Sequence, residues 1–298
     1  MRSVREMAPQ PDRQRLFRYA LWITVLGNIL LASSKGFVAS ITGSAAIYAD
    51  AANSISDVIY SLTMVVGLWI SMQPPDQSHP QGHSRFEPLV GMVVTISMGL
   101  AGYEALRTGI QRGLSGGSEI ELGLPMIILL ISALMKTAMF FSIRKIASRV
   151  ASPALNTTAK DNLSDVLASS AAFVGVLASS YIHPLADPVA GVLVSIWIFK
   201  AAFEAGKENL KYLTGAGASP ELREQIIDTA SAVAGVIKVH QTMTEYVGPT
   251  LVIDMHINVD GSLTLDEAHT ISDNVISELE EFSEVDRAYV HLEPEGWI

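Results

Sequence analysis

The chain contains no cysteine. Disulfide frameworks, thiolate zinc sites and cysteine nucleophiles are therefore excluded together, and the redox compartment stays open. Charge is also scarce. Only 17% of the 298 residues are Asp, Glu, Lys or Arg, against 49% hydrophobic, whereas soluble domains average about 25% charged. That deficit points to a membrane protein. The opening stretch MRSVREMAPQPDRQR lacks the apolar run and small-residue cleavage site of a signal peptide, so none is expected there. Basic charge is thinnest towards the C-terminus. From Ala218 onward there are 16 acidic and 3 basic residues, a net of −13, while the rest holds 14 acids and 17 bases, a net of +3. The two parts have different surroundings. An acidic tail argues against nucleic-acid binding, which needs a positive surface.

Long apolar runs are plentiful. A helix needs about 20 apolar residues to cross the hydrocarbon core, and six stretches qualify, approximately 17–41, 46–72, 88–111, 123–143, 160–181 and 185–205. Ile182-His183-Pro184 breaks the last two apart. Arg2, Arg5, Arg13, Arg15 and Arg18 precede the first span, Arg144, Lys145 and Arg149 follow the fourth, and Lys207 and Lys211 follow the sixth. The opposite loops hold chiefly Arg107 and Arg112. By the positive-inside rule both termini are expected to be cytoplasmic.

After Leu213 the pattern changes. Gly215-Ala216-Gly217-Ala218 reads as a hinge or linker. Ser219-Pro220-Glu221 gives an N-cap, a proline at the first helical position and an early acid. Residues 236–247 and 250–259 alternate as strands parted by a turn at Gly248-Pro249. Thr264 to Glu267 is a capping box that opens a helix, and 285–293 reads as a last strand. The order αββαβ predicts a small α+β domain with its helices on one sheet face. The organisation expected is thus an N-terminal tail over 1–16, six membrane helices over 17–213 and a cytoplasmic domain over 214–298.

The chemistry lies in the second and fifth spans. In YADAANSISDV, Asp50, Asn53 and Asp57 are spaced i, i+3, i+7 and share one helical face. In KDNLSDV, Asp161 and Asp165 are i and i+4. Carboxylates inside a membrane are costly and face a bundle interior or a water-filled path. Acids near a helix start are merely favourable there, a bland reading that covers Asp50 and Asp161 but not Asp57. Asn53, Asp57, Asp161 and Asp165 together make an oxygen-only ligand set. Such ligands suit manganese and other hard cations, while imidazole and thiolate suit zinc and copper. When metal leaves, protonation of Asp57, Asp161 and Asp165 would relieve repulsion between them, so the site is fitted to exchange metal for protons. Lys35 and Lys136, the lone cations well within spans, read as snorkelling or helix-orienting residues, or else as partners of the acids.

The histidines lie mostly on the cytoplasmic side. Asp76, His79 and His83 fall within eight residues of the loop after the second span, either a metal site or a solvated loop. In the tail, His256 sits on the polar face of its strand, opposite Leu251, Ile253, Met255 and Ile257. His291 and Glu293 share a strand face, and His240 and His269 come from the first strand and second helix. His183, beside a proline in an outer loop, reads as structural.

These residues together resemble a cation diffusion facilitator, from the first span to the C-terminus. The resemblance implies six transmembrane helices, a ferredoxin-like cytoplasmic domain, a homodimer in the inner (plasma) membrane and metal-for-proton antiport. It also implies a secondary active transporter rather than an enzyme. It assigns the transport site to the pairs Asn53–Asp57 and Asp161–Asp165, a second site to Asp76, His79 and His83, and a cytoplasmic site to His240, His256, His269, His291 and Glu293. Glu293 stands where the zinc-exporter pattern has aspartate. Zinc-type members place histidine in a transport pair. This chain has none there and is similar to manganese-type members, so manganese leads, with iron, zinc, cadmium and cobalt behind it. Zinc-exporter relatives interlock protomers through a basic residue, matched by Arg85, and an acid, where this chain has Gly215. Two rival functions are an intramembrane hydrolase with paired aspartates and a membrane metal sensor without flux.

Overall fold

The computed structural model describes residues 11–42, 45–116 and 123–296. It divides into two compact units, residues 1–209 and 210–298. The first holds the helices α1 (Pro11–Thr42), α2 (Ala45–Ser71), α3 (Phe86–Leu114), α4 (Leu124–Val150), α5 (Pro153–Tyr181) and, as far as Asn209, α6 (Ala186–Leu213). All six are long and apolar enough to cross a membrane. Trp22, Leu30, Phe37, Ile59 and Phe141 are exposed, while Asn28, Lys35, Ser61, Lys136 and Asn162 are buried. This inversion of the soluble pattern is what a bundle surrounded by lipid requires: apolar side chains outward, polar ones inside.

Small residues bring the helices together. A Cβ at Gly67 on α2 would overlap Val90 on α3, and one at Gly91 on α3 would overlap the amide of Asn209 on α6. Close backbone approach of this kind substitutes for a hydrophobic drive that lipid does not supply. Asn209 in turn donates from Nδ2 to Thr157 Oγ1 on α5 at 2.8 Å.

The fifth helix begins earlier than the hydropathy pattern predicts. Ser152 is its N-cap, accepting from the Leu155 N–H, and Pro153 opens it. Asp161 therefore lies two turns inside the helix rather than at its start, which removes the helix-end explanation of that acid. Glu87, buried at the start of α3, lies 3.7 Å from Arg13 of α1.

The second unit contains α7 (Pro220–Ser231), β1 (Lys238–Val247), β2 (Thr250–Val259), α8 (Leu265–Glu280) and β3 (Val285–Pro294). The expected αββαβ order is present. The sheet order is β1-β2-β3, antiparallel between β1 and β2 and parallel between β2 and β3 across the α8 crossover. Ser219 caps α7, and Thr264 and Glu267 form the reciprocal capping box of α8. Leu251, Ile253, Met255 and Ile257 are fully buried against Ile226 and Ala230 of α7 and Val275 and Leu279 of α8. Each such aliphatic side chain contributes about 1.5–3 kcal/mol on burial. The helices cover the apolar sheet face, so the alternate residues, His256 among them, lie on the other. The glycine–alanine run is not a free linker. The Ala216 carbonyl accepts from the Tyr246 N–H at 3.0 Å, and the Ala218 N–H donates to Thr244 Oγ1 at 2.9 Å.

Candidate metal centres

Within the six-helix unit, Asp57 of α2 and Asp165 of α5 meet at a cation. Lys136 of α4 places its Nζ 2.9 Å from Asp57 Oδ2 and 2.6 Å from Asp165 Oδ2. Its side chain is 5% exposed, so it does not snorkel. Lys35 is likewise buried, with Nζ 2.8 Å from Asp50 Oδ1. Of the readings open for the two lysines, snorkelling is corrected and pairing with the acids is what the structure shows. Each sits opposite a carboxylate because an unpaired charge in the apolar bundle would be far costlier. The Lys35 pair gives Asp50 a structural partner outside the four-residue set.

Asp57 and Asp161 both line a cavity of about 20 Å³ between α1, α2, α3 and α5. Its walls carry polar groups that sequence reasoning missed. Asn28 of α1 donates from Nδ2 to Ser61 Oγ at 2.8 Å, and Ser61 Oγ donates to the Asp57 carbonyl at 2.6 Å. Asn28 Oδ1 is buried without a hydrogen-bond partner, leaving an oxygen donor available to a cation or a water. Asn162 donates to the Thr158 carbonyl. A lone asparagine in an otherwise apolar span was the signal for Asn28. Asn53, one turn before Asp57 on α2, is exposed and is not among the residues lining this cavity.

Three metal-binding side chains approach within 4.8 Å of one another at two places among the described residues, neither of them in the six-helix interior. The first is the α2–α3 loop. Asp76 Oδ1 lies 3.6 Å from His79 Nδ1, and its Oδ2 lies 3.6 Å from His83 Nε2. The His79 N–H donates to Asp76 Oδ1 at 2.6 Å. That bond, with a weaker one from Ser78, holds the Asp76 carboxyl below its ordinary pKa. Asp76 thus stays ionised at neutral pH, as a metal ligand must be.

The second cluster is on the open face of the C-terminal sheet. His240 Nε2 lies 3.1 Å from Glu293 Oε2, and His256 Nδ1 lies 3.1 Å from Glu293 Oε1. His291 pairs directly with His256 across β2 and β3, and its Nε2 is 3.7 Å from Glu293 Oε1. Glu293, where the zinc-exporter pattern has aspartate, therefore spans two imidazoles. His240 reaches the group because of a β-bulge. Val239 pairs with Ile257 and Gln241 with His256, which leaves His240 as the extra residue, re-aimed beside Asn258 Oδ1 at 3.0 Å. His269 stands apart on α8, exposed and 3.5 Å from Asp273. His183 accepts from the Leu185 N–H through Nδ1 at 3.2 Å, a local structural role.

Residues 21–214 match the cation efflux transmembrane domain, and residues 218–295 match the cytoplasmic domain of cation efflux proteins. An uncharacterized transporter of Methanocaldococcus jannaschii is 32% identical over 277 residues, covering 92% of this chain and 96% of that one. The magnetosome protein MamM of Paramagnetospirillum magneticum is 33% identical over 260 residues, 85% of this chain and 80% of that protein. The manganese efflux system protein MneS of Bacillus subtilis is 26% identical over 272 residues, 91% and 93% of the two chains. The chain is a multi-pass membrane protein and belongs to the cation efflux, or cation diffusion facilitator, family of divalent metal transporters.

Proposed function

We propose that the chain exports manganese from the cytoplasm in exchange for protons, through a site built from Asn53, Asp57, Asp161 and Asp165. The observation that carries this reading is the meeting of Asp57 and Asp165 from two helices around one positive charge, with Asp161 on the adjoining cavity. Such a group holds cations by oxygen alone, with no imidazole or thiolate, which favours manganese over zinc. Likeness to a manganese efflux protein supports the same choice. As metal leaves, Asp57, Asp161 and Asp165 take the protons that balance its charge.

The remaining parts fit a homodimer in the inner membrane with both termini in the cytoplasm, divided into residues 1–16, 17–213 and 214–298. Asp76, His79 and His83 form a second binding site in the loop. His240, His256, His291 and Glu293, with His269 from elsewhere, form a regulatory one in the cytoplasmic domain. Two acidic domains repel until metal bridges them, so metal load favours the closed dimer only if it binds that state more tightly. Distance measurement between labelled C-terminal domains should show an approach on adding metal; an unchanged distance would remove the switch. Because the two histidine clusters suit zinc, zinc efflux is the second reading, with iron, cadmium and cobalt behind it. Uptake of manganese, iron and zinc into proteoliposomes separates them. Manganese is expected to move fastest; a faster zinc flux would overturn the metal assignment, and binding without flux would indicate a sensor.

A further inference from the structure

We infer that the Lys136 ammonium is a tethered cation that fills the transport position between Asp57 and Asp165 when metal is absent, and that metal binds only by displacing it. This rests on the reading of those two aspartates as metal ligands. Lys136 is 4% exposed on α4, and its Nζ touches one oxygen from α2 and one from α5. Those are the two helices whose carboxylates the metal has to bridge. Metal and ammonium compete for the same lone pairs, and not at the same spacing. Bonds from small divalent ions to carboxylate oxygen run about 2.0–2.2 Å, as for zinc and magnesium, shorter than the 2.6 and 2.9 Å that lysine sets. A divalent ion must therefore pull the carboxylates inward, and like charges at bonding range in a low-dielectric interior cannot share the position. The wider spacing agrees with the lack of a convergent three-ligand group there among the described residues.

Displacement also sets specificity. A monovalent cation replaces one positive charge with another and gains no Coulomb energy, whereas a divalent ion gains it and can offset the cost of moving the lysine. On the release side, the returning ammonium supplies one of the two positive charges that the departing metal takes from the site, and protons on the aspartates supply the other. Lys35 provides the internal comparison: it is buried and ion-paired too, yet its partner Asp50 is outside the ligand set.

Manganese uptake by the full chain in proteoliposomes tests this. Lys136→Met should lower KM about tenfold, in the range of coupling between close charge pairs, and should lower kcat with it because the tighter ion leaves slowly. Lys136→Arg, which keeps a cation, should hold KM at or above that of the natural chain, and Lys35→Met should leave KM unchanged. If the methionine variant fails to yield a monodisperse protein, Lys136→Gln, which keeps a polar group beside both aspartates, is read in its place with the same expected fall. A KM unchanged or raised without the lysine, while Asp57→Ala still removes uptake, overturns the inference and leaves the site standing. Wild-type uptake by Asp57→Ala overturns both.

Discussion

Asp57→Ala is expected to reduce manganese uptake by more than about 100-fold in a protein that still folds. Groups that only support a metal ligand already cost about 10–100-fold in affinity when removed, and Asp57 is proposed as a ligand itself. Folding should survive because Lys136 keeps Asp165 at 2.6 Å, so no buried charge is left alone. Thermal unfolding in detergent, run beside the uptake assay, separates the two effects. Loss of uptake with an ordinary transition supports the assignment; retained uptake would remove Asp57 from the transport site.

The second large effect concerns metal choice. Asp161 lines the cavity beside Asp57 and Asn28, and no hydrogen bond or ion pair of its own side chain is needed to hold α5 in place, since Thr157 and Asn209 do so. Asp161→His should therefore exchange a hard ligand for an imidazole without dismantling the bundle. In competitive uptake the zinc-to-manganese ratio should rise by about tenfold or more, a change of roughly 1.4 kcal/mol in relative binding. An unchanged ratio with transport intact would mean that Asp161 does not touch the ion.

The ends of helices and the turn chemistry of the C-terminal domain were the most legible features. Ser219-Pro220 and the Thr264–Glu267 capping box carry their geometry in adjacent residues, and the alternation of Leu251, Ile253, Met255 and Ile257 names the buried face outright. The start of α5 was missed because hydropathy, which marks where lipid begins, says nothing of helix that continues beyond it. The Ser152-Pro153 cap was the overlooked signal. Pairing of Lys136 with an acid could be considered from sequence, but which acids it joins was beyond local reading for a different reason. Its meaning comes from two carboxylates 79 and 29 positions away along the chain, and only the packing of α4 against α2 and α5 brings them together. The bulge at His240 is hidden likewise, because a one-residue slip in pairing leaves no mark in composition.

Proton exchange is the claim on which the transport reading depends, and simultaneous recording of lumenal manganese and lumenal pH tests it most directly. With manganese supplied at the cytoplasmic face of proteoliposomes, metal accumulation inside should be matched by alkalinisation of the lumen, both absent in Asp57→Ala. Manganese accumulation with no change in lumenal pH would contradict exchange at these aspartates.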